Sequence, residues 1–572
     1  MEPLEQIALE LKEFLRQYDE ARMLGDLTQM FSMIANGMAR DQLEKLSSPQ
    51  RQMYYIAGLL LSAEPKEDLK IQYSPEDWEY IVEKLNAIEA LYYKLFWPQT
   101  EEEVTEKWKR DRQVALPSFF SYFNQGTLNF EEQVIAWIRD LYTQLDTTIE
   151  GTLGLKTEDF LNFYESMDAW CQNNFRMLSQ TADIPLRANW KEYARIEFAE
   201  NKAVPEEIRA IGKEYEPRYM LVADGGIKNR FYPSDLVTDA LPIEKVKAII
   251  GLLSCKRQDR DYLYYACLNP GNPLFDTPIV DIGKGMYQVF EEKQVLHAID
   301  NLLEMVCCQT EVEQSKFTKK KGDLLEEKTM ALMNKFFKGR ATIYQGYYVD
   351  GCEQDILVLY RDMALVVEAK AYTMHEPFRD PSRAYVRIKR DFDKSVGCAN
   401  EQLWRVEKRF VEQKPLVLTD KDGKVIAEID TTKYADGDFY IIVNQKSFGQ
   451  IQTDLSVMLE LEEGAHYPWA VRYDDLEVFL LMLMRRKKDW LFLKRFLLDR
   501  EYLHGRVFCS DELEICGGYL TGDITEEEMQ GEDAIVTVPE MAAIFDEQYR
   551  MGMGFKDEKY WKEKKDGRTL FW

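Results

Sequence analysis

The sequence predicts a multidomain α+β protein, with helical regions at both ends and a mixed core between them. The chain has 572 residues, several times the ~150 residues of a typical domain. Hydrophobic residues make up 45% and aromatic residues 13% of it, which is enough for several cores. Apolar residues recur at helical spacing near both ends, whereas β-rich runs are concentrated between residues 340 and 445.

Residues 1–200 are predicted to form a helical domain. The first segment places apolar residues three and four positions apart, at Leu4, Ile7, Ala8, Leu11 and Leu15. Helix-start signals separate such segments, as in Ser74-Pro75-Glu76-Asp77. We interpret this region as a scaffold of amphipathic helices. A protein partner bound through these helices is the alternative interpretation.

The rest of the chain divides into three further predicted domains. Residues 201–315 mix short β-like runs with a helical run at Val295–Val306, which predicts a mixed α/β connecting domain. The basic segment Lys316–Lys321 marks its end, and residues 316–450 form the predicted core. Residues 451–572 are again predicted to be mostly helical, from the apolar periodicity between Leu476 and Leu498.

The charge distribution limits where a nucleic acid could bind. The chain has 73 Lys and Arg against 100 Asp and Glu, a net charge of −27, which excludes a protein that is basic over its whole surface. Residues 316–414, however, carry 20 Lys and Arg against 15 Asp and Glu, while the rest carries 53 against 85. Because Lys and Arg dominate phosphate binding, a nucleic-acid site is expected in this stretch.

Several other classes of protein lose support from the motifs that the sequence lacks. The nine cysteines form no CxxC pair, and the four histidines form no HExxH pair, which argues against zinc hydrolases. No phosphate-loop, GxGxxG or GxSxG motif is present, so no nucleotide cofactor is expected. The acidic start and the lack of an apolar run of ~20 residues favour a cytoplasmic protein with no membrane partner.

The residues that carry chemistry lie on two β-rich runs, Asp355–Tyr360 and Ala364–Ala371, joined by a polar turn. Glu368 and Lys370 share a face of the second run, because side chains alternate along a strand. Antiparallel pairing then brings Asp355 beside Glu368. Two carboxylates among Val, Leu and Ile are costly to desolvate, so they call for a partner such as a hard divalent cation.

This hairpin resembles the PD-(D/E)xK nuclease superfamily, which has the restriction-endonuclease-like fold. The resemblance lies in Asp355, followed after twelve residues by Glu368-x-Lys370. Gln354 stands where the motif has proline. The resemblance covers residues 316–450 and implies an α-β-β-β-α-β core. The elements that match it are a helix at Asp323–Phe337, a strand at Thr342–Val349, the hairpin, a basic helical stretch at Ser382–Val411 and a strand at Phe439–Val443.

The resemblance implies metal-dependent hydrolysis of phosphodiester bonds, with Mg²⁺ or Mn²⁺ as the cofactor. The implied metal ligands are Asp355, Glu368, the backbone carbonyl of Ala369, and Glu326 from the first helix, with Glu327 as the fallback. Lys370 is implied to position the attacking water; an ion pair with Glu368 is its structural alternative. Gln402, on the second helix, completes the implied catalytic set beside the scissile phosphate.

The same basic helical stretch supplies the predicted nucleic-acid contacts, which are Arg387, Lys389, Arg390 and Arg405. For Lys389 and Arg390, the alternative is that they lie on a solvated helix face without binding nucleic acid. DNA is the favoured substrate, and defence against phage is the bacterial biology that the family suggests. An RNA-directed nuclease and a non-catalytic nucleic-acid-binding or scaffold protein remain alternatives, and a homo-oligomer is left open.

Overall fold

The computed structural model describes residues 3–35, 45–71, 73–98, 100–101, 104–123, 129–179, 225–265, 271–372, 375, 380–434, 437–556 and 558. These residues combine many helices with mixed sheets, so the predicted α+β class is confirmed. Two compact units can be distinguished: one includes Met1–Trp97 and Val134–Thr310, the other Pro98–Gln133 and Glu311–Leu570. The four segments predicted from the sequence do not coincide one by one with these units, and they stay predictions.

The first unit is helical over the described residues that precede Arg230. In chain order, the helices up to residue 307 are α1 Pro3–Leu15, α2 Glu20–Ala35, α3 Pro49–Leu61, α4 Pro75–Lys94, α5 Glu106–Phe123, α6 Glu131–Tyr142, α7 Asp146–Leu153, α8 Thr157–Ser179, α9 Ile243–Leu253, α10 Pro273–Asp276 and α11 Glu292–Cys307. Helix α5 and the first residues of α6 belong to the second unit. The predicted start signal at Ser74 is a capping box, in which Ser74 and Asp77 bond to each other's backbone N–H.

A small sheet completes the first unit. Its strands are β1 Arg230–Phe231, β2 Ser254–Cys255, β3 Ile279–Asp281 and β4 Tyr287–Val289. They lie in the order β1-β4-β3-β2, with β2 and β3 parallel and the other pairs antiparallel. The strands are two or three residues long, so most of this unit's buried surface comes from its helices.

The second unit is built on a seven-stranded mixed sheet in the order β11-β10-β7-β6-β5-β8-β9. Its strands are β5 Thr342–Val349, β6 Cys352–Tyr360, β7 Met363–Lys370, β8 Leu416–Thr419, β9 Val425–Ile429, β10 Asp438–Asn444 and β11 Trp469–Arg472. Strand β10 runs parallel to both β7 and β11, and the remaining pairs are antiparallel. The central strands β6, β7 and β10 are largely buried, as their apolar sequences require.

Turn length sets the register at the centre of this sheet. Between β5 and β6, the two-residue turn Asp350-Gly351 has positive φ at both positions, as Asp-Gly hairpins commonly do. A second two-residue turn, Arg361-Asp362, joins β6 to β7 and pairs Tyr360 with Met363. Every later pair in that hairpin follows from this one.

The remaining helices belong to the second unit. They are α12 Glu311–Phe336, α13 Pro381–Phe392, α14 Cys398–Val411, α15 Gln450–Thr453, α16 Tyr473–Arg485, α17 Trp490–Glu501, α18 Glu512–Thr521, α19 Glu526–Gln530 and α20 Ala543–Met551. A two-stranded parallel sheet, β12 Val507–Phe508 with β13 Ile535–Val536, lies among them. None of the described helices is both long and apolar enough to cross a bilayer.

The structure differs from the sequence-based expectations in three details. Helix α12 begins at Glu311, so the basic segment Lys316–Lys321 lies inside a helix, where Lys319 pairs with Asp323 one turn later. The basic stretch is interrupted by a π-helical turn at Asp393–Gly397. Strands β8 and β9, which the sequence analysis did not predict, lie between α14 and β10 in the chain.

Candidate functional site

The β6–β7 hairpin brings Asp355 and Glu368 into contact. Their positions continue the register in which Ile356 pairs with Val367, and residues directly opposite each other share a face of the sheet. The backbone N–H of Asp355 donates to Oε1 of Glu368 at 3.3 Å, and the N–H of Ala369 donates to Oδ2 of Asp355 at 2.7 Å. The predicted neighbourhood of the two carboxylates is therefore present.

Lys370 lies at the end of β7 and connects the two acids. Its Nζ is 2.9 Å from Oε2 of Glu368 and 3.4 Å from Oδ2 of Asp355. Burial by itself lowers the pKa of Lys370, but the two neighbouring carboxylates outweigh it, so the pKa is raised overall. Lys370 is therefore a cation held between two acids rather than a free base.

Burial and like charge act together on Glu368. The side chain is fully buried, and the pKa is raised to about 8 by burial first and by the charge of Asp355 second. Lys370 lowers this pKa without cancelling the rise. When both acids are ionised, one lysine faces two buried carboxylates, so the cluster carries a net negative charge.

A third carboxylate adds to that imbalance. Glu326 on α12 is half-buried, and its pKa is raised to about 7 by burial, by Asp355 and by Asp323. The neighbouring Glu327 is exposed. The ionisation of Glu326 is therefore coupled to that of Asp355.

The donor set suits Mg²⁺ or Mn²⁺ better than zinc. No three His, Cys, Asp or Glu side chains among the described residues are gathered closely enough to hold a metal by themselves. Mg²⁺, however, keeps several waters and commonly uses only one or two protein carboxylates. Asp355 and Glu368 would provide that pair, and the carbonyl of Ala369 would add a third oxygen. The residues therefore fit the implied cation.

Gln402 lies near this cluster. From α14, its Nε2 donates to the carbonyl oxygen of Glu353 at 3.3 Å, and Glu353 is two residues before Asp355 on β6. The side chain is partly exposed, so it can reach a molecule in solvent. Helix α14 thus places the predicted glutamine beside the strand that carries Asp355.

The predicted nucleic-acid contacts are divided between two helices. Arg387, Lys389 and Arg390 lie on α13, whereas the partly exposed Arg405 lies on α14. Lys389 pairs with Asp393 at 3.0 Å, and the guanidinium of Arg390 lies 3.7 Å from Asp391. A surface pocket along α13 is lined by Tyr385, Val386, Lys389, Arg390, Asp393 and Lys394.

The sequence analysis missed a polar cluster that follows the Glu-x-Lys strand. The fully buried Asp391 of α13 accepts hydrogen bonds from the Tyr372 hydroxyl at 3.1 Å and from the His375 backbone at 2.9 Å, and the His375 ring Nδ1 is 2.9 Å away. Burial alone raises the pKa of Asp391, but the bonds from His375 outweigh it and lower the pKa. His375 is the one histidine between residues 316 and 450, and that was the available signal.

A second missed contact supports the end of β7. Lys370 is paired in parallel register with the buried Asn444 of β10. The Ser395 hydroxyl, within the π-helical turn, donates to Oδ1 of Asn444 at 3.3 Å. Such π-helical turns are frequently found at functional sites. Here the turn connects the stretch of α13 and α14, through the hydrogen bond of Ser395, to strand β10 beside Lys370.

No protein-family model, curated protein or solved structure matches this chain.

Proposed function

We propose that the protein is a metal-dependent nuclease that hydrolyses phosphodiester bonds, with DNA as the favoured substrate. The observation that carries the proposal is the contact among Asp355, Glu368 and Lys370 at one end of the β6–β7 hairpin. Two buried acids and a lysine in that order, on paired strands, are similar to the arrangement that the PD-(D/E)xK motif implies, which supports the proposal. When both acids are ionised, their excess of negative charge favours a divalent cation.

The order of elements supports the same proposal. Helix α12, strands β5, β6 and β7, helices α13 and α14 and strand β10 follow one another as the restriction-endonuclease-like core requires. Strands β10, β7, β6 and β5 are neighbours, with β10 parallel to β7. Strands β8, β9 and β11 are additions to that core, and Gln354 replaces the motif's proline.

The proposed roles follow from the contacts of each residue. Asp355, Glu368 and the Ala369 carbonyl would hold the cation, which polarises the phosphoryl oxygen and lowers the pKa of a bound water. Lys370, fixed by both acids, would orient the attacking water and the phosphate. Glu326 and Gln402 would align the water and the substrate from the two flanking helices, and the basic pocket along α13 would bind the phosphate backbone.

Cleavage assays test the proposal directly. Purified full-length protein is incubated with supercoiled, linear and single-stranded DNA and with RNA, each with Mg²⁺, Mn²⁺ or EDTA. We expect cleavage of at least one substrate with a cation and none in EDTA. Robust cleavage in EDTA would contradict the proposal, and binding without cleavage under every condition would favour the non-catalytic alternative.

Variants with matched controls locate the activity. Asp355→Asn should reduce cleavage to background, while Asp362→Asn, at an exposed turn of the same hairpin, should not. Lys370→Ala should lose turnover by about 10²-fold or more but retain Mn²⁺ affinity measured by calorimetry. Its control is Lys424→Ala, at an exposed position of the turn between β8 and β9. Equal losses of turnover and of Mn²⁺ affinity would instead assign Lys370 a structural ion-pair role.

A further inference from the structure

The two-stranded sheet of β12 and β13 exposes an apolar face. Phe508 is paired with Val536, and their exposed fractions are 56% and 65%. Val538, two residues after Val536, is 44% exposed. Val538 lies beyond the end of β13, in extended backbone. Because residues two apart in extended backbone point to the same side, we group these three side chains as one surface, here called the 508–538 face.

The opposite side of these strands is buried and mostly apolar. Val507 and Cys509 flank Phe508 and are buried, as is Thr537 between the two exposed valines. A sheet with one buried and one solvated face normally alternates apolar and polar residues. Here the two paired outward positions, Phe508 and Val536, are both apolar, which is typical of a strand pair that is covered on both sides.

Apart from Arg506, which immediately precedes β12, the segment that carries this face has only negatively charged side chains. Residues 507–549 contain twelve Asp and Glu and no Lys, Arg or His. The exposed acids closest in sequence to the face are Glu526, Glu527, Glu528, Glu532, Asp533 and Glu540. An apolar centre with an acidic border is complementary to a segment that is apolar along one side and basic along the other.

Arg506 holds the two strands in place. Its guanidinium donates to the carbonyl oxygens of Glu528 and Asp533 and, at a short distance, of Met529, all from the segment that precedes β13. Its Nε donates to the carbonyl of Tyr502 at 2.9 Å. The two strands that carry the 508–538 face are therefore preorganised, which reduces the entropy lost when a partner binds.

We propose that the 508–538 face binds a basic amphipathic segment of a partner protein. A nucleic acid or an anionic membrane surface would be repelled by the acidic border. A second copy of the same surface would bring two acidic borders together, which is also unfavourable. This inference rests on a surface outside the catalytic cluster and does not depend on the proposed nuclease activity.

A peptide of the stated chemistry tests the proposal. The probe is a fluorescein-labelled peptide of the sequence LKKLLKLLKKLLKL, titrated with full-length protein and followed by fluorescence anisotropy. Two control peptides replace every Lys by Glu, or every Leu by Ser. We expect saturable binding of the Lys/Leu peptide and at least tenfold weaker binding of both controls.

Protein variants decide whether binding occurs at this face. Phe508→Ser with Val536→Ser should weaken binding at least tenfold. Val425→Ser with Ile426→Ser removes two exposed apolar residues from β9 and should leave the affinity unchanged. Glu527→Lys with Glu532→Lys keeps the apolar face and should also weaken binding, by an amount that shrinks as salt rises. Circular dichroism checks that each variant is folded.

The contrary outcomes are equally specific. Equal affinity of the wild type and the Phe508→Ser, Val536→Ser variant would overturn the assignment, since the peptide would then bind elsewhere. Concentration-dependent self-association of the wild type, lost in that variant and unaffected by peptide, would identify a second copy as the occupant. Tighter binding of the Glu-containing peptide would overturn the proposed charge complementarity.

Discussion

The second unit contains two buried ionic clusters that resemble each other in composition but differ in charge balance. In the first, Arg500 and Glu512 form a bidentate pair with distances of 2.8 and 3.0 Å. Trp469 donates to the same glutamate at 2.7 Å, and Arg500 donates to the carbonyl of Thr453 at 2.6 Å. One cation faces one anion, and the carboxylate is surrounded by donors.

The second cluster is Asp355, Glu368 and Lys370, with Glu326 close by. Three carboxylates share one lysine, and the pKa values of Glu368 and Glu326 are raised to about 8 and about 7. Burial by itself lowers the pKa of Arg500, yet Glu512 outweighs it and raises that pKa, as a balanced pair requires. Equal numbers of opposite charges are typical of a structural ion pair, whereas a buried excess of one charge is typical of a functional site.

The largest effect is expected from breaking the balanced pair. Glu512→Gln leaves the charge of Arg500 buried without its counter-charge, which costs about 3–5 kcal/mol. The free energy of unfolding from urea titration measures it. Glu527→Gln, the same substitution at an exposed acid of the same region, should change stability by less than about 0.5 kcal/mol. A loss as small as that control's would mean that the pair contributes little.

Glu368→Gln should instead stabilise the protein near neutral pH, whereas Glu512→Gln destabilises it. The pKa of Glu368 is raised from 4.5 to about 8, so the stability that this group contributes is present below pH 4.5 and lost as pH rises through 8. Between pH 4.5 and 8, the free energy of unfolding of the variant should therefore rise relative to that of the wild type by up to about 1.4 kcal/mol per pH unit. Urea titrations at several pH values measure the gain.

The control for this pH effect is Glu428→Gln, at an exposed position of β9 in the same sheet. As a substitution at the surface, it should change stability by less than about 0.5 kcal/mol. If Glu368→Gln instead destabilises the protein at pH 8 as Glu512→Gln does, the two clusters are alike and the distinction between them fails.

Divalent cations should stabilise the folded protein only by binding at the cluster of Asp355, Glu368 and Lys370. Binding at a hundred times Kd stabilises a folded protein by about 2.7 kcal/mol, so Mn²⁺ or Mg²⁺ should raise Tm. The increase should disappear in Asp355→Asn, because one of the two proposed carboxylate ligands is lost, and it should persist in Glu527→Gln. An increase of equal size in Asp355→Asn would place cation binding elsewhere.

The smallest effect is expected at Glu326. Its pKa is raised from 4.5 to about 7, so its contribution to stability is lost between those pH values as pH rises, as for Glu368. Glu326→Gln should therefore also gain stability on the wild type, but by well under about 1.4 kcal/mol per pH unit, because the side chain is only half-buried. The adjacent, exposed Glu327 is the matched control. Equal pH profiles for both variants would remove Glu326 from the cluster.

Much of the β6–β7 hairpin was predictable because its causes are local. Alternation along β7 places Glu368 and Lys370 on one face, and a two-residue turn at Arg361-Asp362 then brings Asp355 opposite Glu368. Apolar spacing predicted the helices, and the Ser74 capping box marked the start of α4. These features need only neighbours within about twenty residues.

The contacts between distant segments depended on the tertiary structure. Asp391 meets His375 and Tyr372 only when α13 packs beside the end of β7, and no periodicity records that pairing. Likewise, Arg500 and Glu512 are joined to Thr453 and Trp469 across three further elements. The sequence by itself thus determined which residue types stand at the end of the hairpin. The tertiary structure decided how deeply they are buried, and burial is what raises the pKa of Glu368.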